Sequence, residues 1–232
     1  MRIITLVTQK GGAGKTTLAA CLAVAAGEAG ERVIALDLDP QGSLSIWGEE
    51  RKAEAPAVDR LSATQINQLP TILQALERSG FTVAILDTAG FASTATNLAV
   101  QAADLCLIPA RPSRLDIQAT WSTVDTVKRL GRPFSFVLNQ CSPTPRSTRA
   151  SEGAAGLQLL GVLADPLVTQ RVDHQDAIAA GQGVTEYAPH SKAAEEIRTL
   201  WQWIHRRMKG SSYDEAAISD RLAQPGAGSA GG

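Results

Sequence analysis

A segment near the N-terminus combines glycine, lysine and threonine at the spacing that a phosphate-binding loop requires. It follows a short apolar run and precedes a helical pattern, which is the context that such a loop needs. Its glycines allow backbone N–H groups to turn toward an anion, and the helix adds the positive end of its dipole. We expect Lys15 to neutralise the terminal phosphates of a nucleotide and the Thr16 hydroxyl to bind Mg²⁺. The segment consists of Gln9, Lys10, Gly11, Gly12, Ala13, Gly14, Lys15, Thr16 and Thr17.

Carboxylates follow two later apolar runs. Asp37 and Asp39 lie in the sequence Leu-Asp-Leu-Asp-Pro-Gln-Gly, and Asp87 ends the run Ala-Ile-Leu-Asp. In a strand, residues two apart point to the same face, so Asp37 and Asp39 would point together. Ligands of open α/β sheets bind at the carboxyl ends of the strands, which places all three acids near the phosphate loop. The alternative for the first two is that they only cap a turn before Pro40.

Short apolar runs alternate with helical patterns along most of the chain. The runs are rich in Val, Ile and Leu and do not alternate with polar residues, which is typical of a parallel sheet covered on both faces. We expect a doubly wound, mostly parallel α/β fold with right-handed crossovers. The expected strands are Arg2–Thr8, Arg32–Asp37, Thr82–Asp87, Leu105–Pro109 and Phe134–Asn139, with a weaker sixth at Leu159–Leu163. The expected helices are Lys15–Ala29, Ala63–Ser79, Thr94–Ala103, Ile117–Leu130 and Lys192–Lys209.

Composition limits the class of protein. Hydrophobic residues make up 44% of the 232 residues and charged residues 19%, with a net charge of -1, which excludes a uniformly basic nucleic-acid binder. Cys21, Cys106 and Cys141 are far apart, so we expect buried, reduced thiols. The run Ile3–Val7 is too short for a signal peptide or membrane span, which predicts a cytoplasmic protein. We expect one domain over residues 1–209 and a disordered tail over 210–232.

Two features of these motifs depart from an ordinary phosphate loop. Gln9 stands where the first glycine is usual, and Lys10 follows it. With the Asp-x-Asp-Pro-Gln element, this resembles the deviant Walker A loop of the ParA/MinD superfamily, most closely small ParA-type partition ATPases. The resemblance implies that Lys10 reaches across an ATP-bound homodimer to the partner's phosphates. It also implies that Asp39 orients the attacking water, while Asp37 supports the Mg²⁺ shell and Asp87 holds Mg²⁺ through water.

Two less specific matches to this family occur later in the chain. Asn139 lies where this family places a residue that reads the adenine edge, and an amide suits that role because it both donates and accepts. A plain strand-ending asparagine is the alternative. The segment Pro112–Asp116 also resembles a loop of the family, which implies that Asp116 contacts the dimer partner.

Basic residues are concentrated in two stretches. Residues 111–149 contain seven Lys or Arg against two acids, and residues 192–209 contain five against two. The family binds DNA without sequence preference through basic C-terminal residues that line up in the dimer. We expect Arg198, Arg206, Arg207 and Lys209 to contact DNA, although an ordinary solvated helix face is the alternative. No amphipathic membrane helix is visible, since Trp201 and Trp203 are better explained by packing.

The resemblance implies a slow ATPase that acts as a spatial switch. It would dimerise around ATP, associate with the nucleoid, and be released when a ParB-like centromere-binding or adaptor protein stimulates hydrolysis. The cargo would be plasmid or chromosomal DNA. Alternatives are the positioning of a carboxysome or chemoreceptor cluster, and, less favoured, a MinD-like membrane regulator or a metabolic P-loop enzyme. An iron–sulfur electron carrier is disfavoured because ligation of a cluster across a dimer needs suitably placed cysteines, whereas Cys106 and Cys141 are expected to be buried.

Overall fold

The computed structural model describes residues 1–144 and 148–223, with side chains described up to Lys209. Its centre is a six-stranded sheet in which all pairings are parallel, with strand order β3-β2-β4-β1-β5-β6. This confirms the doubly wound α/β fold. The strands are β1 (Arg2–Leu6), β2 (Val33–Asp37), β3 (Ala57–Arg60), β4 (Val83–Asp87), β5 (Leu105–Ala110) and β6 (Phe134–Leu138).

Helices cover both faces of the sheet, as the unbroken apolar strands require. The first five are α1 (Lys15–Glu28), α2 (Ser43–Glu50), α3 (Ala63–Ile66), α4 (Leu69–Arg78) and α5 (Thr94–Ala102). The remaining five are α6 (Arg114–Arg129), α7 (Thr148–Gln158), α8 (Val172–Ala179), α9 (Val184–Tyr187) and α10 (Lys192–Ala223).

Alternate residues of each strand enter different cores. Ile4 and Leu6 of β1 pack with α1 and α10 on one face, whereas Val7 packs with α5 and α6 on the other. On the same face as α1, Trp201 is buried and Trp203 partly buried, which confirms that these tryptophans pack. The core therefore fixes the strands from both sides, and the strand ends are held rigidly enough to position polar side chains.

The expected sixth strand at Leu159–Leu163 is wrong. Only a single bridge joins Leu163 to Phe136, and Leu159 is 88% exposed because the chain turns there after α7. The actual sixth strand is β3, which pairs with β2 at the opposite edge of the sheet. Its sequence Ala-Val-Asp-Arg has no apolar run, since an edge strand is paired on one side only and here ends in exposed charged residues.

Two expected helices differ substantially from the observed ones. The pattern Ala63–Ser79 forms α3 and α4 separately, because Pro70 enters the first turn of a new helix where a missing N–H is tolerated. Helix α10 runs to Ala223, beyond the expected end at Lys209. Residues 224–232 of the expected tail lie outside the described residues, so the domain boundary at 209 stays a prediction.

The three cysteines are free and buried, as expected. Burial raises the pKa of Cys21 and of Cys106 to about 12 and that of Cys141 to about 11, so all three are neutral thiols at physiological pH. Among the described residues, no helix is both long and apolar enough to span a bilayer.

Candidate functional site

The sheet brings the expected site residues together at the carboxyl ends of three adjacent strands. Asp87, the last residue of β4, is in register with Asp37 of β2 on one side and with Leu6 of β1 on the other. The glycine-rich loop leaves β1 directly after this point and enters α1 at Lys15. The phosphate loop and the carboxylates of Asp37 and Asp87 therefore meet at the carboxyl ends of the strands, as expected from the sequence.

The loop backbone is held in an anion-binding shape by side chains from the end of β6. Gln140 Nε2 donates to the carbonyl of Gly12 (3.0 Å) and Asn139 Nδ2 to that of Ala13 (2.9 Å). Gly12 and Gly14 have φ values of 78° and 86°, a region open to glycine. Within residues 1–144 and 148–223, the amides of Gly12, Ala13 and Gly14 donate to no backbone acceptor. They are available to an anion such as a phosphate.

Replacing Gly14 with Ala should destabilise the fold. A Cβ there would lie 2.4 Å from Asn139 Nδ2, and the positive φ disfavours any side chain. We expect the free energy of unfolding to fall by about 1–2 kcal/mol from the backbone alone. Thermal and urea unfolding would measure it. Gly11→Ala is the matched control, because nothing lies within 4 Å of its Cβ position. Equal stability of the two variants would contradict the assigned loop geometry.

Thr16 and Asp87 form the candidate metal site. The Thr16 hydroxyl donates to Asp87 Oδ2 at 2.6 Å, while the buried Oδ1 of Asp87 has no hydrogen-bond partner within the described part of the chain. Burial, with Asp37 and Asp39 adding negative charge, raises the pKa of Asp87 to about 7 despite the Thr16 hydrogen bond and Lys15. Among the described residues no group of three His, Cys, Asp or Glu could hold a metal. The donors instead fit Mg²⁺, which binds through one or two protein oxygens, water and substrate phosphates.

Lys15 is the buried cation of the site. It is 8% exposed, and burial lowers its pKa although Asp87 and Asp39 favour the charged form. Because burial disfavours the charged form of Lys15, a charged Lys15 requires negative groups nearby, and a polyphosphate bound to the loop would supply them.

Asp37 and Asp39 have different surroundings. Asp37 is fully buried and accepts hydrogen bonds from the amides of Asp39 (3.0 Å) and Ser45 (2.9 Å) and from the Ser45 hydroxyl (3.1 Å). It therefore braces the start of α2 as well as lying beside Asp87. Asp39 is half-buried and accepts one bond, from the amide of Gln41 at 2.9 Å. Its second carboxylate oxygen has no bonded protein donor among the described residues.

A cavity of about 140 Å³ adjoins the loop beside Asn139. Asn139 Oδ1 accepts from the amide of Gln140, so the Asn139 side chain keeps only one N–H and one lone pair for a ligand. His174 of α8 also lines this cavity, and burial lowers its pKa although Glu196 and Asp173 oppose the shift. Sequence reasoning missed both Gln140 and His174. Gln140 has a φ of 55°, a left-handed conformation that its residue type does not signal.

Lys10 lies at the start of the loop and contacts its own chain. Its Nζ lies 3.0 Å from Asp116 Oδ1 at the start of α6, and Arg111 NH2 lies 3.1 Å from the same oxygen. The Ser113 hydroxyl donates to Asp116 Oδ2. Burial tends to raise the pKa of Asp116, but the hydrogen bonds from Ser113, Lys10 and Arg111 outweigh it and hold the pKa below its usual range.

The four residues expected to contact DNA differ in exposure. Arg206, Arg207 and Lys209 are exposed near the C-terminal end of the described side chains. Arg198 is half-buried and donates to the carbonyls of Pro189 (2.7 Å) and Thr185 (3.1 Å) while pairing with Glu28. Its position indicates that it anchors α10 to the body of the domain.

Comparison with known proteins agrees with this geometry. A family model described as VirC1 protein matches residues 1–180. Maintenance of carboxysome distribution protein A of Gloeobacter kilaueensis is 31% identical over 225 residues, covering 95% of this chain and 94% of that protein. Protein virC1 of Rhizobium radiobacter is 31% identical over 189 residues, covering 78% of this chain and 80% of that protein.

A solved structure shows the same fold. The septum site-determining protein MinD of Pyrococcus horikoshii, complexed with Mg-ADP, superposes with a TM-score of 0.71. It is 21% identical, and the match covers 88% of this chain and 95% of that one. The expected ParA/MinD resemblance is confirmed. The chain belongs to the VirC1 family, with ParA/MinD-type partition ATPases as its homologues and structural neighbours.

Proposed function

We propose that the chain is a Mg²⁺-dependent ATPase of the partition type that dimerises around ATP and binds DNA without sequence preference. The observation that carries the proposal is the pairing of two lysines with one phosphate loop. Lys15 is buried and is attracted by the negative charge of Asp87, whereas Lys10 lies near the surface in an ion pair with Asp116. One lysine serves the nucleotide of its own chain, and the other can reach the nucleotide of a second chain.

The residues present fit both ATP and Mg²⁺. The free loop amides and Lys15 suit the β- and γ-phosphates, and the Thr16 hydroxyl with the unpartnered Asp87 Oδ1 suits the metal. Thr16 and Asp87 would hold Mg²⁺, which when bound would supply positive charge against the phosphates. Asp39 lies at the rim of the site, and one of its carboxylate oxygens accepts no hydrogen bond from the described part of the chain, so it can orient a water. Gly90, in the loop after β4, packs against the Gly11 amide, so this loop can respond to the phosphates.

A second chain completes the proposed site. The Lys10 side chain is 31% exposed and contacts Asp116 of its own chain. In the dimer, Lys10 would leave this carboxylate and contact a phosphate bound to the second chain, so it would again be paired with an anion. Such a lysine would stabilise transition-state charge in the way that an arginine finger does. A partner protein, ParB-like or an adaptor, would then stimulate hydrolysis and separate the dimer. The proposed location is the cytoplasm, on the nucleoid.

DNA binding is proposed for the C-terminal end of α10. Arg206 and Arg207 are exposed on consecutive positions, followed by exposed Lys209. A dimer presents two such sets on one rigid body, so the second set of contacts forms without a second association cost. Because affinity for DNA rises steeply with the number of phosphates neutralised, doubling the set gives ATP control over DNA binding.

Replacing Arg206, Arg207 and Lys209 together with Ala tests this surface. We expect DNA affinity with ATP to fall for all sequences alike, and the salt dependence to flatten by about one unit of slope for each phosphate that is no longer neutralised. ATP hydrolysis without DNA should stay unchanged. DNA binding would be measured across a salt series with ATP, with ADP and without nucleotide. The control replaces the exposed Lys52 and Arg78, which lie outside α10.

Two outcomes would contradict the proposal in different ways. Wild-type protein without DNA affinity in any nucleotide state would overturn the partition function. Full affinity in the triple variant would place the surface elsewhere, and the basic stretch 111–149 would be the next candidate.

A second candidate function is the positioning of a protein cargo. The carboxysome distribution protein is similar along 95% of this chain, so the same switch could serve a protein assembly in place of a plasmid or chromosome. The two functions share nucleotide and DNA binding and differ in the protein that stimulates hydrolysis. Stimulation by a centromere-binding protein encoded beside this chain would favour partition, and stimulation by a cargo adaptor would favour positioning.

A further inference from the structure

Beside the phosphate loop, one carboxylate forms ion pairs with two cationic side chains. Asp116 is 6% exposed, and its Oδ1 contacts both Lys10 Nζ (3.0 Å) and the Arg111 side chain, through Nε (3.2 Å) and NH2 (3.1 Å). We call Lys10, Arg111 and Asp116 the shared-carboxylate cluster. Two positive charges against one negative charge leave an excess of one positive charge at the N-terminal side of the loop.

Arg111 faces the loop with the part of its guanidinium that Asp116 does not use. Nε and NH2 both donate to Asp116, whereas NH1 lies 3.9 Å from the Cβ position built on Gly12. Among the described residues, NH1 donates to no protein acceptor. The side chain is 38% exposed and so can meet a ligand from solvent. Arg111 thus binds Asp116 through Nε and NH2, and its NH1 group lies next to the loop amides that are expected to bind the anion.

We propose that Arg111 is an additional phosphate-binding residue of this site, directed at the terminal phosphate of the bound nucleotide. The inference rests on the proposed ATP binding and adds a cation to it. Arg111 lies beside Gly12, away from the cavity next to Asn139. The terminal phosphate, which is farthest from a base bound in that cavity, is therefore the phosphate nearest to Arg111. A guanidinium suits the role, because its planar fork donates to a carboxylate and a phosphate at once.

Asp116 positions Arg111 and Lys10 and does not itself meet the phosphates. Its negative charge keeps the two cations from repelling each other beside the loop. When phosphates supply further negative charge, Lys10 can leave Asp116 while Arg111 remains bound to it and still donates through NH1. The cluster would therefore release Lys10 to a second chain without leaving Asp116 buried and unpaired, which would be costly.

Equilibrium binding of Mg-bound AMPPNP and of Mg-bound ADP to the full chain tests the proposal. For Arg111→Ala we expect the affinity for AMPPNP to fall about tenfold or more, the size typical of removing a charge-assisted hydrogen bond, and the affinity for ADP to fall much less. Arg111→Lys should lie between wild type and Arg111→Ala, because a lysine cannot hold both anions in one plane. Arg114→Ala is the matched control, being an exposed arginine three residues away, and should bind as wild type.

The ratio of the AMPPNP affinity to the ADP affinity distinguishes direct contact of Arg111 with the nucleotide from a purely structural role. A purely structural Arg111 would lower both affinities equally, together with the thermal unfolding temperature, and that result would overturn the proposal. Unchanged AMPPNP binding by Arg111→Ala would overturn it as well. Wild-type protein that binds neither nucleotide would instead overturn the proposed function and this inference together.

Discussion

Lys15→Ala is expected to abolish nucleotide binding while the protein stays folded. Lys15 is the one loop lysine that is buried, and burial lowers its pKa although the charges of Asp87 and Asp39 oppose the shift. Without it, the β- and γ-phosphates would approach Asp87 and Asp39 with no buried cation between them. Removing a charge-assisted hydrogen bond costs about 1.5–3 kcal/mol, and this substitution removes several at once. We expect affinity for Mg-bound ATP to fall by at least about a hundredfold.

Isothermal titration with Mg-bound AMPPNP would measure this loss on protein whose fold is checked by circular dichroism. Lys52→Ala is the matched control, because Lys52 is exposed on the connection between α2 and β3, away from the loop. Near wild-type affinity in folded Lys15→Ala would refute the assignment of the phosphate loop. A variant that fails to fold would be replaced by Lys15→Met, which keeps the buried alkyl chain and removes the charge.

The sequence predicted the central part of the site because its motifs are local. The residues from Lys10 to Thr17 form one loop and the first turn of α1, and Asp37 and Asp87 end apolar runs, so the pairing of neighbouring strands brings them together. The contact of Asp116 with Lys10 joins the loop to a part of the chain about a hundred residues away, and no local pattern signals such a pair. The same limit applies to Gln140, whose side chain holds the loop from the end of β6.

The errors in the fold have a common physical cause. An apolar run predicts burial, and burial is achieved by a turn as well as by a strand. Leu160 and Leu163 pack against the core from a turn after α7, where a strand was expected. The edge strand β3 is stabilised by its ladder with β2 and needs few apolar side chains, so its sequence carried no signal. Patterns of hydrophobicity therefore predict buried apolar strands, including the edge strand β6, and miss a partly exposed strand such as β3.

The second large effect is expected for Asp39, which should control turnover and not binding. Asp39 lies two residues beyond the buried Asp37, at the rim of the site. Of its two carboxylate oxygens, only Oδ1 accepts a hydrogen bond from residues 1–144 and 148–223, namely from the Gln41 amide. Its remaining oxygen is therefore free to orient a water and accept its proton. Positioned acid–base groups contribute about 10²–10⁴-fold to rate. We expect Asp39→Ala to lower ATP turnover by at least about a hundredfold, with Mg-bound ATP still bound and the dimer accumulating.

Asp39→Asn distinguishes this role from bracing of the loop. An asparagine oxygen can still accept from the Gln41 amide, so the loop conformation is kept while the negative charge is removed. If the charge orients and deprotonates water, Asp39→Asn should be as inactive as Asp39→Ala. If Asp39 only holds the loop, the asparagine variant should keep most of its activity. Asp125→Ala, which removes an exposed acid from α6, is the control and should hydrolyse ATP normally.

Two measurements on the same samples decide between these outcomes. Phosphate release reports turnover, and size-exclusion chromatography with Mg-bound ATP reports the dimer. Loss of turnover with accumulation of a dimer places Asp39 after nucleotide binding and before dimer separation. Loss of both turnover and binding would show that Asp39 supports the phosphate site itself, since its charge also acts on Lys15 and Asp87. Normal turnover in both Asp39 variants would remove this residue from the proposed mechanism, and the water would have to be oriented by another group at the same edge of the sheet.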